Sequence, residues 1–279
     1  MEIKVIDNSK LKLVDELNRS IASSFQLRFA VAFAKISGFS LIKESLQEFF
    51  KKSGRAIFLL GLDFSSTDPQ VLRDLYDFQE KSNLFELLCY KGNLQETTSY
   101  HPKIYLFNGN ENQNIAYIGS SNLTRGGLVS NIEANIMISS LGETEVFSDL
   151  SDTFLRLRLD KNRIKPNSRF IDKYEELYKL HRKGKNIKQQ RQYQELIEIE
   201  NELPRSRLIV SDLSGWMKLV YESLPDSSFT TSDIYQFEEK FRNIYPENRN
   251  IKAKIRQQLQ YLRDYGLLVN PSRNYWKKV

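Results

Sequence analysis

The segment HPKIYLFNGNENQNIAYIGSSNLTRGGLVSNIEANI, residues 101–136, contains three short apolar runs separated by polar turns. Runs of this length with such punctuation read as strands. Side chains two apart on a strand share a face, so His101 and Lys103 point the same way. The run through Tyr117 and Ile118 stops at Gly119-Ser120-Ser121-Asn122, a turn able to return a polar group to the same spot. Ile132 to Ile138 is a third apolar segment and carries Glu133. An imidazole nucleophile, a cation, an amide donor and an orienting acid are the parts that attack on a phosphodiester requires.

Each of these residues alone has an ordinary explanation. A strand histidine is often a satisfied structural group, Lys103 an exposed lysine, and Ser120, Ser121 and Asn122 a plain turn. Their combination is not ordinary. The chain has only two histidines, and the other, His181, lies in the basic helical stretch KLHRKGKNIK, where a solvated position is expected. Glu133 is the least expected on structural grounds, because it interrupts a segment that otherwise reads as buried.

The run resembles the phospholipase D superfamily signature, His-x-Lys followed by a Gly-Ser-x-Asn turn and an acid. Within it, the branch that includes restriction endonucleases is matched by Ser121-Asn122-Leu123-Thr124, Gly126-Gly127 and Asn131-Ile132-Glu133. The resemblance spans roughly residues 20 to 140, with several polar residues at fixed spacing. It departs at Asn108, where the superfamily has a structural Asp, and Asn108 is kept out of the chemistry. The resemblance implies metal-independent phosphodiester hydrolysis through a covalent phosphohistidine. His101 would attack phosphorus, Lys103 and Asn122 would hold the non-bridging oxygens, and Ser120 would add a hydroxyl donor. Glu133 would accept a hydrogen bond from the far nitrogen of His101. The superfamily reaction uses two histidines. With one motif per chain, the second must come from another copy, so a homodimer through this domain is expected. No cofactor and no metal are expected.

Composition limits the alternatives. A chain of 279 residues with 40% hydrophobic content can hold one large domain or two of ordinary size. The single cysteine, Cys89, stands in an apolar run and excludes both an internal disulfide and a multi-cysteine metal site. The charged start MEIKVIDNSKLKL lacks a signal-peptide core, and no apolar stretch reaches spanning length, so a cytoplasmic protein without membrane contact is expected. Residues 205–279 hold 13 Lys/Arg against 8 Asp/Glu, whereas residues 1–204 hold 28 against 27. The cationic excess is therefore C-terminal and points to a polyanion such as double-stranded DNA.

Buried-looking strands at residues 26–34, 55–62 and 85–90 alternate with helical patterns at 41–51 and 69–81. That alternation predicts an α/β layered sheet, phospholipase D-like, over residues 1–160, with a helix at 142–159 packed back on it. Residues 161–204, rich in charge and bounded by Pro166 and Pro204, read as a helical connector.

Residues 205–279 predict a winged helix: helices at 214–224 (capped by Ser211 or Asp212), 232–244 (capped by Thr230 or Thr231) and 251–265 (capped by Asn250), then a hairpin after Gly266. The segment resembles winged-helix modules fused to some restriction endonucleases, through Phe229-Thr230, Asp233-Ile234-Tyr235, Tyr245 to Asn248 and Ile255 to Asp264. Entry of the third helix into a major groove would present Arg249, Asn250, Lys252, Lys254, Arg256, Gln257 and Gln260, with Arg273 at the wing tip. Arg can read guanine and Gln or Asn adenine, while Lys more readily holds phosphates. The combined expectation is a type II-like restriction endonuclease. The rivals are a DNA nuclease with little sequence preference, a non-catalytic DNA-binding regulator on the same scaffold, and a lipid phosphodiesterase, which the winged helix disfavours.

Overall fold

The computed structural model describes residues 1–90, 99–184, 191–204 and 208–279. These fall into two compact units, Met1–Leu141 with Asp160–Ser206, and Gly142–Leu159 with Arg207–Val279.

The first unit is built on a mixed eight-stranded sheet in the order β1-β7-β6-β5-β2-β3-β4-β8. Its parallel part is β2 (Ser24–Val31), β3 (Arg55–Gly61) and β4 (Phe85–Tyr90), joined through α2 (Ile36–Phe39), α3 (Lys43–Lys51) and α4 (Pro69–Lys81). Burial on both faces explains why β3 is a continuous apolar run. An antiparallel meander follows: β5 (Lys103–Gly109), β6 (Gln113–Gly119) and β7 (Asn135–Leu141). β1 (Glu2–Ile6) closes one edge against β7 and β8 (Arg163–Ile164) the other against β4. One face of the sheet, carrying Phe29, Phe58, Tyr105, Phe107 and Tyr117, packs with residues of α1 (Leu13–Ser23), α3 and α4. Phe29 stacks on Phe58 at 4.6 Å and meets Tyr105 edge-on at 5.1 Å.

The segment expected to be a connector belongs to this core. α6 (Ser168–Arg182) buries Phe170, Ile171, Tyr174, Leu177 and Tyr178, and α7 (Arg191–Glu202) packs on it through Tyr193, Leu196 and Ile199. Tyr174 donates to the Thr67 carbonyl at 2.7 Å, and Arg73 of α4 pairs with Glu175 and with Asp172. The charges that suggested a solvated linker lie on one side only, with a full apolar stripe behind them. Residues 185–190 of that segment, and the expected boundary at 205, lie outside the described residues. His181 is exposed in the last turn of α6.

The second unit contains α8 (Gly215–Glu222), β9 (Phe229–Thr230), α9 (Thr231–Tyr235), α10 (Glu238–Ile244), α11 (Ile251–Asp264), β10 (Leu268–Ser272) and β11 (Tyr275–Lys278). The strands form a small sheet β10-β11-β9, and Trp216 stacks on Tyr245 at 4.5 Å in the core. Gly266, at φ +79°, ends the third helix in the left-handed region as its position predicts. Thr230 caps α9 in a reciprocal capping box with Asp233. Three local expectations differ. The helix expected over 232–244 is broken at Gln236–Phe237. The N-cap of α8 is Ser214 rather than Ser211 or Asp212. Asn250 occupies the cap of α11 without a side-chain bond.

The largest departure is α5 (Glu145–Leu159). It belongs to this second unit and not to the sheet. Leu155 joins the winged-helix core, Ser148 Oγ accepts from the Trp216 amide at 2.7 Å, and Arg158 pairs with Asp212 at 2.9 Å.

Candidate active site

Strand register gathers the motif at one end of the sheet. Lys103 opens β5 opposite Val31, the last residue of β2. Gly119 closes β6 opposite Asn135, the first residue of β7. The residues flanking these points, His101, Ser120, Asn122 and Glu133, therefore come together in irregular backbone at the sheet's end. Glu133 lies in the loop before β7 and not on the strand expected for it. Gly119 is required by close approach: a Cβ there would collide with the Ala134 carbonyl and the Asn135 side chain.

Lys103 Nζ lies 2.7 Å from His101 Nδ1, 3.0 Å from Nε2 and 3.0 Å from the His101 carbonyl. His101 is exposed and Lys103 is buried at 6% exposure, so the cation is held beneath an accessible imidazole. Burial pulls the Lys103 pKa down, and the charge of Glu133 opposes this. Lys103 and Glu133 are thus within electrostatic reach of one another.

Glu133 does not make the expected hydrogen bond to His101. Its oxygens accept from Ser120 Oγ and, at 3.5 Å, from Asn131 Nδ2. Ser120 Oγ in turn accepts from the Ala134 amide at 3.0 Å. A carboxylate so close to a hydroxyl and an amide of its own turn satisfies those local donors first. Ser120 is correspondingly a holder of Glu133 here, its proton already committed. Asn122 Oδ1 accepts from the Phe33 amide at 3.3 Å, and Pro102 accepts from the Ala32 amide at 2.8 Å, so consecutive residues after β2 tie both motif segments down. This orients the Asn122 amide nitrogen, which donates to no acceptor among the described residues. Asn108 lies far along β5, accepting from Arg28 at 3.2 Å and donating to Asn114 at 2.6 Å, a structural arrangement as expected. Among the described residues, no three histidine, cysteine or carboxylate side chains converge as a metal site would require.

A buried polar network that the sequence reading missed holds the turn. Asn135 Nδ2 donates to Ser121 Oγ at 2.9 Å, and Ser121 Oγ donates to the Gly127 carbonyl at 2.7 Å. Asn8 Nδ2 donates to the same carbonyl at 2.9 Å, and Tyr105 donates to the Ser121 carbonyl at 3.0 Å. Asn135 at an inward-facing strand position was the available signal, because a buried amide needs partners.

In the second unit, α11 buries Ile251, Ile255, Gln258, Leu259 and Leu262. The opposite face presents Ala253, Arg256, Gln257 and Gln260, at i, i+3, i+4 and i+7, all exposed. Arg249, Asn250 and Lys252 are exposed around the first turn, and Arg273 is exposed at the wing tip. Lys252 pairs with Glu238 at 3.5 Å, and Arg256 donates to the Tyr235 hydroxyl at 2.8 Å. Lys254 does not point outward: its ammonium is 2.5 Å from Asp149 of α5, with its side chain 12% exposed. The acids of α5 form a stripe against this flank. Glu145 takes Asn248 Nδ2 at 2.5 Å, Asp149 takes Lys254, and Asp152 takes Gln258 Nε2 at 2.9 Å. Their spacing at i, i+4 and i+7 is visible in the sequence, but their partners are not.

Residues 41–158 match the family model described as cardiolipin synthase, PLD-like domain, and residues 213–278 match the Dam-replacing HTH domain. Among solved structures, NucT from Helicobacter pylori is similar at a TM-score of 0.43 and 12% identity, covering 56% of this chain and 94% of that one. Nuc from Salmonella typhimurium, a phospholipase D family member, gives 0.42 and 12%, covering 55% and 91%. Phosphatidylserine synthase from Haemophilus influenzae Rd KW20 gives 0.45 and 9%, covering 67% and 46%. No helix among the described residues is long and apolar enough to cross a membrane. The chain joins a phospholipase D-like domain to a C-terminal Dam-replacing winged-helix domain.

Proposed function

We propose that this protein is a DNA endonuclease of the type II restriction kind, cutting phosphodiesters without a metal ion through a covalent phosphohistidine on His101. The observation that carries this reading is the contact of the buried Lys103 ammonium with the exposed His101 ring at 2.7 Å. A desolvated cation against a nucleophile acts strongly on charge that develops on a phosphoryl group in the transition state. The Asn122 amide, aimed by Phe33, adds a neutral donor. The charge of the acid Glu133 opposes the downward pull of burial on the Lys103 pKa.

The chemistry runs in two displacements. An unprotonated nitrogen of His101 forms a bond to phosphorus while the bond from phosphorus to the departing strand's oxygen breaks. That oxygen takes a proton from the partner's His101 in imidazolium form. Water then attacks phosphorus, gives a proton to the partner's His101, and releases His101 unchanged. Two identical chains therefore share one centre, consistent with one motif per chain. The helix-turn-helix module supplies the affinity for double-stranded DNA, with Arg249, Asn250, Lys252, Arg256, Gln257, Gln260 and Arg273 as its contacts.

The test is to quench a reaction in excess EDTA with denaturant and map peptides by mass spectrometry. Nucleotide attached to the peptide containing His101 is expected. Full dependence on added divalent cation, or an adduct that survives His101→Ala, overturns the mechanism.

A further inference from the structure

We propose that Arg163 is a positioning residue for His101, acting through Tyr100, the residue that precedes His101 in the chain. The inference rests on the reading of His101 as nucleophile and adds to it the device that places its ring.

The His101 ring has little of its own to hold it. It is exposed, and among the described residues its hydrogen-bonding partner is the Lys103 ammonium. Where the imidazole stands is therefore set by the backbone on either side of it. On the C-terminal side, Pro102 accepts from the Ala32 amide at 2.8 Å, and Lys103 is in register with Val31 of β2. On the N-terminal side stands Tyr100, which lies ahead of β5 and in no strand. A residue outside the sheet needs its own anchors, and Tyr100 has several. Its amide donates to Asp63 Oδ2 at 3.2 Å and its hydroxyl to the Leu59 carbonyl at 3.3 Å. Its ring fits against Gly61, where a Cβ would come within 2.9 Å of it.

Arg163 completes this seat. It lies on β8, whose register sets it opposite Tyr90, the last residue of β4. Its guanidinium carbon is 4.2 Å from the centroid of the Tyr90 ring and 4.2 Å from that of Tyr100. The two rings stack on each other at 5.0 Å. All three side chains are buried, Arg163 at 1% exposure.

An arginine in such a place is costly, and burial pulls its pKa down. An apolar side chain of similar volume would fill the space without losing that hydration. A planar cation does what an apolar chain does not. It attracts the faces of both rings at once, and the attraction grows where water is excluded. The Tyr100 ring is thereby fixed in place, and with it the peptide that leads into His101. A nucleophile must meet phosphorus within a narrow range of distance and angle, so displacement of that peptide falls on the rate of the chemical step. A lysine would keep the charge but lacks the flat face.

The chain has two histidines, so protein made with isotope-labelled histidine gives two imidazole signals by NMR, and His101→Ala tells them apart. In Arg163→Lys the His101 signal is expected to shift or broaden, while that of His181, on α6, stays in place. Single-turnover cleavage is expected to fall by about 100-fold, the scale of a reacting group misplaced by about 1 Å, with duplex affinity in a gel shift unchanged. Tyr100→Leu, which leaves Arg163 in place, should produce the same two changes. The double variant should lose no more than either alone, because both remove one contact. Tyr100→Phe keeps the ring and should recover most of what Tyr100→Leu loses. Circular dichroism checks that each variant is folded, and if Arg163→Lys is not, the two Tyr100 variants carry the same comparison. A folded Arg163→Lys or Tyr100→Leu protein that cuts at the wild-type rate, or whose His101 signal is unmoved, overturns the inference and leaves the nucleophile standing. Losses that multiply in the double variant overturn it as well. A wild-type protein that does not cut, or a His101→Ala variant that does, overturns the phosphohistidine reading instead, and the imidazole signals then decide the placing of His101 by themselves.

Discussion

Replacing Asp152 by asparagine should stabilise the second unit and flatten its dependence on pH. Asp152 is 6% exposed on α5, with Gln258 Nε2 donating to it at 2.9 Å. Burial pushes its pKa from 3.8 up to about 6, against the opposing pull of the Gln258 hydrogen bond and of Lys254 and Arg156, while Asp149 adds to the rise. A carboxyl whose folded pKa lies above its unfolded one binds its proton more tightly in the fold. Its contribution to stability is therefore fully present below about pH 4 and is lost as pH rises through about 6. At 1.36 kcal/mol per unit, the shift corresponds to about 3 kcal/mol lost across that window. Asparagine carries no charge to desolvate. Its carbonyl can still accept from Gln258 Nε2, and its amide adds a donor next to a residue whose Oε1 is a buried oxygen without a partner among the described residues.

The variant should accordingly gain about 2–3 kcal/mol at pH 7 and almost nothing at pH 4. Both tryptophans of the chain, Trp216 and Trp276, lie in the core of this unit, so intrinsic fluorescence follows its unfolding specifically. Urea titrations of wild type and Asp152→Asn at a series of pH values yield a difference curve, in which titrations common to both proteins cancel. A curve that is flat between about pH 4 and 7, or a variant less stable at pH 7, would refute the assignment of an ionised, poorly compensated Asp152.

Four further outcomes follow from the two sites. His101→Ala should abolish cleavage while leaving duplex affinity in a gel-shift assay unchanged; retained cleavage removes His101 as nucleophile. Lys103→Met should lower the single-turnover rate by about 100- to 1000-fold, the scale of losing one preorganised donor, and a loss below tenfold would place Lys103 outside the chemistry. Arg256→Ala and Gln257→Ala should each cost about 1–3 kcal/mol of discrimination between cognate and altered sites. Lys254→Met should leave the salt dependence of binding unchanged, because that ammonium is held by Asp149, whereas Arg249→Met should reduce the slope by about 0.9.

How much was readable from residues alone divides along a physical line. Periodicity within an element survives into the fold, so α4 over Pro69–Lys81 and β4 over Phe85–Tyr90 match the bounds that pattern and punctuation predict. The convergence of His101, Lys103, Ser120, Asn122 and Glu133 was legible for the same reason. Two-residue alternation and a tight turn are local, and antiparallel pairing then returns the chain to the same sheet end. What was not legible depends on which surface an apolar stripe meets. The periodicity of α5, with Val146, Leu150, Phe154 and Leu157 at helical steps, shows that the helix faces something and says nothing of whether that is the sheet or Trp216; the structure buries Phe147, Phe154 and Leu155. The apolar stripe of α6, with Tyr174, Leu177 and Tyr178, stands in the sequence, but the lysines and glutamates around it, which pair with neighbours such as Glu195 and Arg73, gave it the look of a solvated connector. β1 escaped because an edge strand of five residues with four exposed gives no burial signal at all. The partners of Glu133 escaped for a related reason. Spacing places a carboxylate near a site, but its hydrogen bonds follow local donors, and here Ser120 of the facing turn and Asn131 are its partners.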